Sequence, residues 1–121
     1  MTRLEALTQL RDKVKAGTVC RSNRKAKWQD CDFEGKGYGY IVNANIAGAY
    51  NGSLDAAKAL HEAVLPGFDA EVAFAKPSLV TIYQPFDDEW EEISRAESEN
   101  PARAWLLAIL EALIAQEEQS Q

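Results

Sequence analysis

The spacing of apolar positions changes several times along the chain, and each change marks an element. Leu4, Leu7, Leu10 and Val14, with Ala6 beside them, recur at three and four residues and fall within one half of a helical wheel, while Arg11, Asp12 and Lys15 lie off its centre. Thr2 can cap this segment and Gly17 can end it, so the pattern predicts an amphipathic first helix. The periodicity then stops. Residues 18–32 carry Val19, Cys20, Trp28 and Cys31 around the basic run RSNRKAK, which predicts an exposed strand pair or an ordered loop. The following stretch, EGKGYGYIVNANIAGAYNG, mixes glycine with tyrosine and suits turns and short extended pieces rather than a helix.

Helical spacing returns at Ser53, a good N-cap, and Asp55 sits where the positive end of the helix dipole favours an acid; Pro66-Gly67 gives a sharp stop. A second helix over Leu54–Leu65 follows, with Ala56, Ala57, Leu60, Ala63 and Val64 on its apolar arc and His61 at the boundary. Phe68 with Glu71–Phe74, and Leu79–Tyr83 after a Lys76-Pro77-Ser78 turn, predict two strands of an antiparallel hairpin. Asp87–Glu92 is acidic around Trp90 and the chain stays polar to Asn100, which predicts a long loop or a short exposed helical turn. Asn100-Pro101 then places a cap and a proline where a helix begins, and Ala102–Ala115 is apolar on almost every side, broken by Arg103 and Glu111. Such a helix is buried on most faces. The order α, (β), α, β, β, α predicts the α+β class: a single-domain α/β/α-type sandwich of about three helices and a small, mainly antiparallel sheet, packed between the helices or under them.

Composition agrees with this plan. The 121 residues, 46% hydrophobic and 26% charged, suit one globular domain over 1–121 and exclude fibrous or wholly disordered classes. The longest apolar stretch falls short of the roughly 20 residues of a membrane span, and the first turns mix both charge signs where a secretory signal would be apolar. A cytoplasmic protein is the expectation. The net charge of −6 hides a polarity: Met1–Lys36 holds nine Lys/Arg against five Asp/Glu, net +4, and the remainder four against fourteen, net −10. An acidic total disfavours general nucleic-acid binding.

The candidate chemistry is sparse. Cys20 and Cys31 lack redox or zinc spacing and read as structural thiols, and His61 is the lone histidine, without a nucleophile or a metal-ligand partner in the sequence pattern. Gly35-Lys36-Gly37-Tyr38-Gly39 lacks the strand-loop-helix context of a phosphate loop. Arg21, Arg24, Lys25 and Lys27 beside Trp28 have the elements of a phosphate or single-strand contact, weighed against a solvated face anchored by the tryptophan. Asp87, Asp88, Glu89, Glu91 and Glu92 read first as a solvated acidic face. Trp90 and the tyrosines 38, 40 and 50 read first as core filling, with a recognition surface as the alternative. Arg103 and Glu111 are expected to complete a polar strip at the end of the core.

The segment AYNGSLDAAKALHEAVLPGF, the strand pair after it, the acidic turn and NPARAWLLAILEALIA together resemble the phage ABA-sandwich family of small phage and prophage proteins. Tyr50, Ser53, Asp55, Ala56, Ala57, Leu65, Pro66, Gly67, Phe68, Pro101, Ala102 and Ala104 carry the resemblance, which spans about Tyr50–Ala115; Phe68 stands where the family more often has tryptophan. The resemblance implies an α/β/α layered fold and a phage or prophage origin, with no activity, cofactor or catalytic residue attached. The expected function is therefore non-enzymatic binding, to a protein or between copies, through the acidic and aromatic surface at Asp87, Asp88, Glu89 and Trp90. The alternative is a small ligand or nucleotide held by Arg21, Arg24, Lys25, Lys27 and Trp28. No cofactor and no metal are expected.

Overall fold

The computed structural model describes residues 3–16, 45, 46 and 48–119. Helix α1, Arg3–Ala16, buries Leu7, Leu10 and Val14, the stripe its spacing marks. Residues 45, 46 and 48–50 are helical, which corrects the expectation of turns and extended pieces there. Ile46, Ala49 and Tyr50 lie three and four residues apart and are all buried, so tertiary packing outweighs the poor helix propensity of Asn45 and Gly48. Gly52 closes this turn at φ +105°; its N–H donates to the Ala49 carbonyl and that of Ser53 to the Gly48 carbonyl, a pairing that needs a left-handed residue at Gly52.

Helix α2, Leu54–Val64, starts on Ser53, whose hydroxyl accepts from the Ala56 N–H at 3.1 Å, and its buried residues are Ala57, Leu60, His61 and Val64. The buried arc therefore includes His61 and leaves Ala56 and Ala63 half-buried. Strand β1 is Asp69–Ala73, β2 is Ser78–Phe86 and β3 is Glu89–Ser98, forming an antiparallel sheet in the order β1-β2-β3. The acidic segment is thus neither loop nor helical turn: Asp87-Asp88 is a tight hairpin turn, with Asp87 at φ 54°, and Glu89–Glu92 opens a ten-residue strand. Aspartate tolerates that left-handed conformation better than most residues.

Cross-strand partners share a face. Val72, Val80 and Ala96 form one row and Ala70, Ile82 and Ser94 the next, facing the helices; Glu71, Thr81 and Arg95 form a row on the far side. The register shifts by one between Ile82↔Ser94 and Tyr83↔Glu92, so Ile93 is the extra residue of a bulge.

Helix α3, Pro101–Gln119, begins on Asn100, whose side-chain oxygen accepts from the N–H groups of Ala102 (2.9 Å) and Arg103 (3.3 Å). Its ten buried residues lie all round the helix, because the sheet covers one side while α1 and α2 pack on α3 rather than on the sheet. Among the described residues the sheet lies under the helices, with α3 between it and α1 and α2. The α+β class and the antiparallel sheet are as the sequence pattern indicates. Small residues make the close approach: Ser94, Ala96 and Ser98 line β3 toward the helices, and the Ser94 hydroxyl donates to the Ala108 carbonyl at 2.8 Å.

Candidate functional site

Three places in the described residues gather chemistry. The first surrounds His61, on the floor of an open cleft of about 430 Å³ with Phe68 and Trp105, rimmed by Lys58, Glu62 and Asp69. The Trp105 indole N–H lies 3.3 Å from His61 Nδ1 and can only donate, so Nδ1 accepts; Nε2 then carries the hydrogen and donates to the Phe68 carbonyl at 2.9 Å. The two rings meet edge to face at 5.8 Å. Neither nitrogen has a lone pair free for a metal or a substrate proton. His61 instead fastens α2, the chain entering β1 and α3 together, with 6% of its surface exposed. Trp105→Phe keeps an aromatic ring, smaller than the indole, and removes the donor, leaving the buried Nδ1 unsatisfied; urea titration should register a loss of about 1–3 kcal/mol. An unmoved midpoint would mean the bond contributes nothing.

The second place is where two charged residues of α3 hold the segments packed on it. Arg103 donates twice to the Tyr50 carbonyl, from Nε at 3.1 Å and a terminal nitrogen at 2.9 Å, and its guanidinium stacks 4.0 Å from the centroid of the Tyr50 ring. Tyr50 is thus core, while Gly52 lies against the Asn100 cap of α3. Glu111 accepts from Arg11 at 3.0 Å and ties α3 to α1; this bond raises the Arg11 pKa against the opposing effect of burial. Arg103 and Glu111 are both half-buried on the otherwise largely buried α3. Each holds a neighbouring segment onto the middle helix.

The third place is the end of the β2–β3 hairpin. Strand β1 stops at Asp69, paired with Tyr83, whereas β2 and β3 run on for three more pairs: Gln84↔Glu91, Pro85↔Trp90 and Phe86↔Glu89. This two-stranded ribbon projects past β1. Phe86 is 59% exposed and Trp90 56% exposed, which corrects the first reading of Trp90 as core. Side chains alternate across a ribbon, so Trp90 and Phe86 stand on opposite faces. Asp87, Asp88, Glu89, Glu91 and Glu92 surround them, all exposed. The nearest cation on β3, Arg95, bonds Glu92 at 2.9 Å. The sequence marked Asp87, Asp88, Glu89 and Trp90, and the structure brings them to the hairpin end; Phe86 was missed, although it falls on the opposite face of the alternation that Tyr83 and Pro85 set, which was a usable signal. A third exposed aromatic, Phe74 at 71%, lies in the β1–β2 turn at the other end of the sheet.

Arg21, Arg24, Lys25, Lys27 and Trp28 lie outside the described residues, as do Cys20, Cys31, Tyr38 and Tyr40. Among the described residues no three His, Cys, Asp or Glu side chains converge as a metal-ligand set, and no helix is long and apolar enough to cross a membrane. No family model, curated protein or solved structure matches the chain.

Proposed function

We propose that this chain is a phage- or prophage-type accessory protein of the cytoplasm that acts by binding a protein partner, without catalysis, through the projecting end of the β2–β3 hairpin. The observation that carries the reading is the exposure of Phe86 and Trp90 on a ribbon that extends beyond its sheet. Burying large apolar side chains is the main source of folding free energy, so two aromatics left in water, one on each face of the hairpin end, mark a recognition surface; aromatics dominate the energetic centres of protein interfaces. The surrounding carboxylates give that surface a sign and select a cationic partner. The phage or prophage origin rests on the resemblance carried by the Tyr50–Ala115 residues.

The test is a pull-down from lysogenic host cells with the parent and the Phe86→Ser/Trp90→Ser variant. Both substitutions replace exposed groups, so the thermal midpoint should stay near that of the parent. The expected result is a defined set of host or phage proteins retained by the parent and lost by the variant. Identical capture by both would remove the hairpin from the function.

A further inference from the structure

We infer that the outer edge of β3 at Glu89–Glu91 takes up an extended cationic segment of a partner protein as a fourth strand, in which Lys or Arg alternates with apolar residues. The inference rests on the hairpin reading above and adds the mode of binding and the chemistry of the partner. Among the described residues β3 pairs only with β2 and forms an edge of their sheet. An edge strand aims every second N–H and C=O away from its sheet, a template for another extended chain.

Proteins commonly guard such an edge with a bulge, a short strand or a charge. Here the bulge lies at Ile93, beyond the projecting portion, and the strand is ten residues long. Among the described residues the guard over Glu89–Glu91 is charge alone, and a guard of one sign excludes only strands of that sign. Glu89 and Glu91 share one face, with Trp90 between them on the other. An incoming strand therefore meets an acid, an indole and an acid in succession, and cation, apolar residue, cation is the sequence that satisfies all three. Glu92 is already held by Arg95, which leaves Glu89 and Glu91 to set the register. A second copy of β3 is the wrong occupant: antiparallel pairing centred on Trp90 would set Glu89 against Glu91 twice, and like charges directly opposite are destabilising.

The probe is a fluorescein-labelled octapeptide of alternating lysine and valine, followed by anisotropy at low and high salt. A copy N-methylated at every second residue keeps the side chains but cannot pair as a strand, and a glutamate-valine copy reverses the charge. The parent should bind the lysine-valine peptide, less tightly as salt rises, and neither of the other two. Glu89→Lys/Glu91→Lys should weaken binding by at least about tenfold, the effect of converting two opposite-charge pairs into like-charge ones. Trp90→Ser should weaken it by about threefold or more at every salt concentration. If the N-methylated peptide binds as well as its parent and both are lost in the Trp90→Ser variant, strand addition is wrong while the hairpin remains the binding surface. Binding indifferent to all these substitutions, or none, overturns the inference, and sedimentation of a low-salt dimer abolished by Trp90→Ser would assign the edge to a second copy and overturn it too.

Discussion

Leu110→Ala is expected to lower the unfolding free energy by about 2–5 kcal/mol, measured by urea titration. Leu110 is fully buried in α3, which has the sheet on one side and α1 with α2 on the other. Removing the isopropyl group leaves a cavity between two layers, each held by its own hydrogen bonds, so neither can move in to fill it. The cost should lie above the bare transfer free energy of the deleted atoms. Leu107, slightly exposed at 4%, should lose less within the same range. A loss below about 0.5 kcal/mol for both variants, the level of ordinary surface substitutions, would place α3 at the surface.

Gly48→Ala should destabilise the protein by about 1–3 kcal/mol, although in an unconstrained helix alanine is favoured over glycine by about 1 kcal/mol. The sign is therefore the test. A β-carbon at Gly48 would stand 2.7 Å from the β-carbon of Ala56, well inside the roughly 3.5–4.0 Å at which two carbons attract. Both atoms are fixed to helical backbone and no rotamer relieves the contact. Only a shift of residues 48–50 away from α2 would, and Tyr50 is anchored by Arg103. Ala56→Gly removes the opposing methyl, so the double variant should lose less than the sum of the two single losses, measured by the same titration. Additive losses would show that the two positions do not press on each other.

Both predictions concern places where the sequence pattern and the packing agree to different degrees. The α3 interior was legible because a helix apolar on nearly all sides has to be covered on nearly all sides. The turn at 48–50 was not, since glycine and asparagine are poor helix formers and the burial of Ile46, Ala49 and Tyr50 is visible only once the chain is folded. Strand β3 escaped for a related reason. Its helix-facing residues are Ser94, Ala96 and Ser98, chosen for size so that α3 can approach, and a search for apolar alternation does not register serine. Its charged end looked like a loop because the pairing with β2 that makes it a strand is provided by the neighbouring chain segment, not by its own propensity.

The candidate site divides the same way. Its charge and its tryptophan were readable at Asp87, Asp88, Glu89 and Trp90, but residue types alone left Trp90 assigned first to the core. Exposure is a property of what fails to cover a side chain, and here β1 ends at Asp69, three pairs short of the hairpin turn.

By itself the sequence determined the local elements whose signals lie within one turn or one strand: the stripe of α1, the Ser53 and Asn100 caps, the stop at Pro66-Gly67 and the all-round apolar α3. Tertiary structure alone decided that, among the described residues, α3 lies between the sheet and the other two helices, that His61 Nδ1 accepts from Trp105 across 44 residues, that Arg103 grips Tyr50 across 53, and that Phe86 and Trp90 project into solvent. The physical reason is range. Caps and periodicity act between residues a few positions apart, where the chain has already brought the groups together, whereas layer order, long-range hydrogen bonds and exposure depend on which distant surfaces meet.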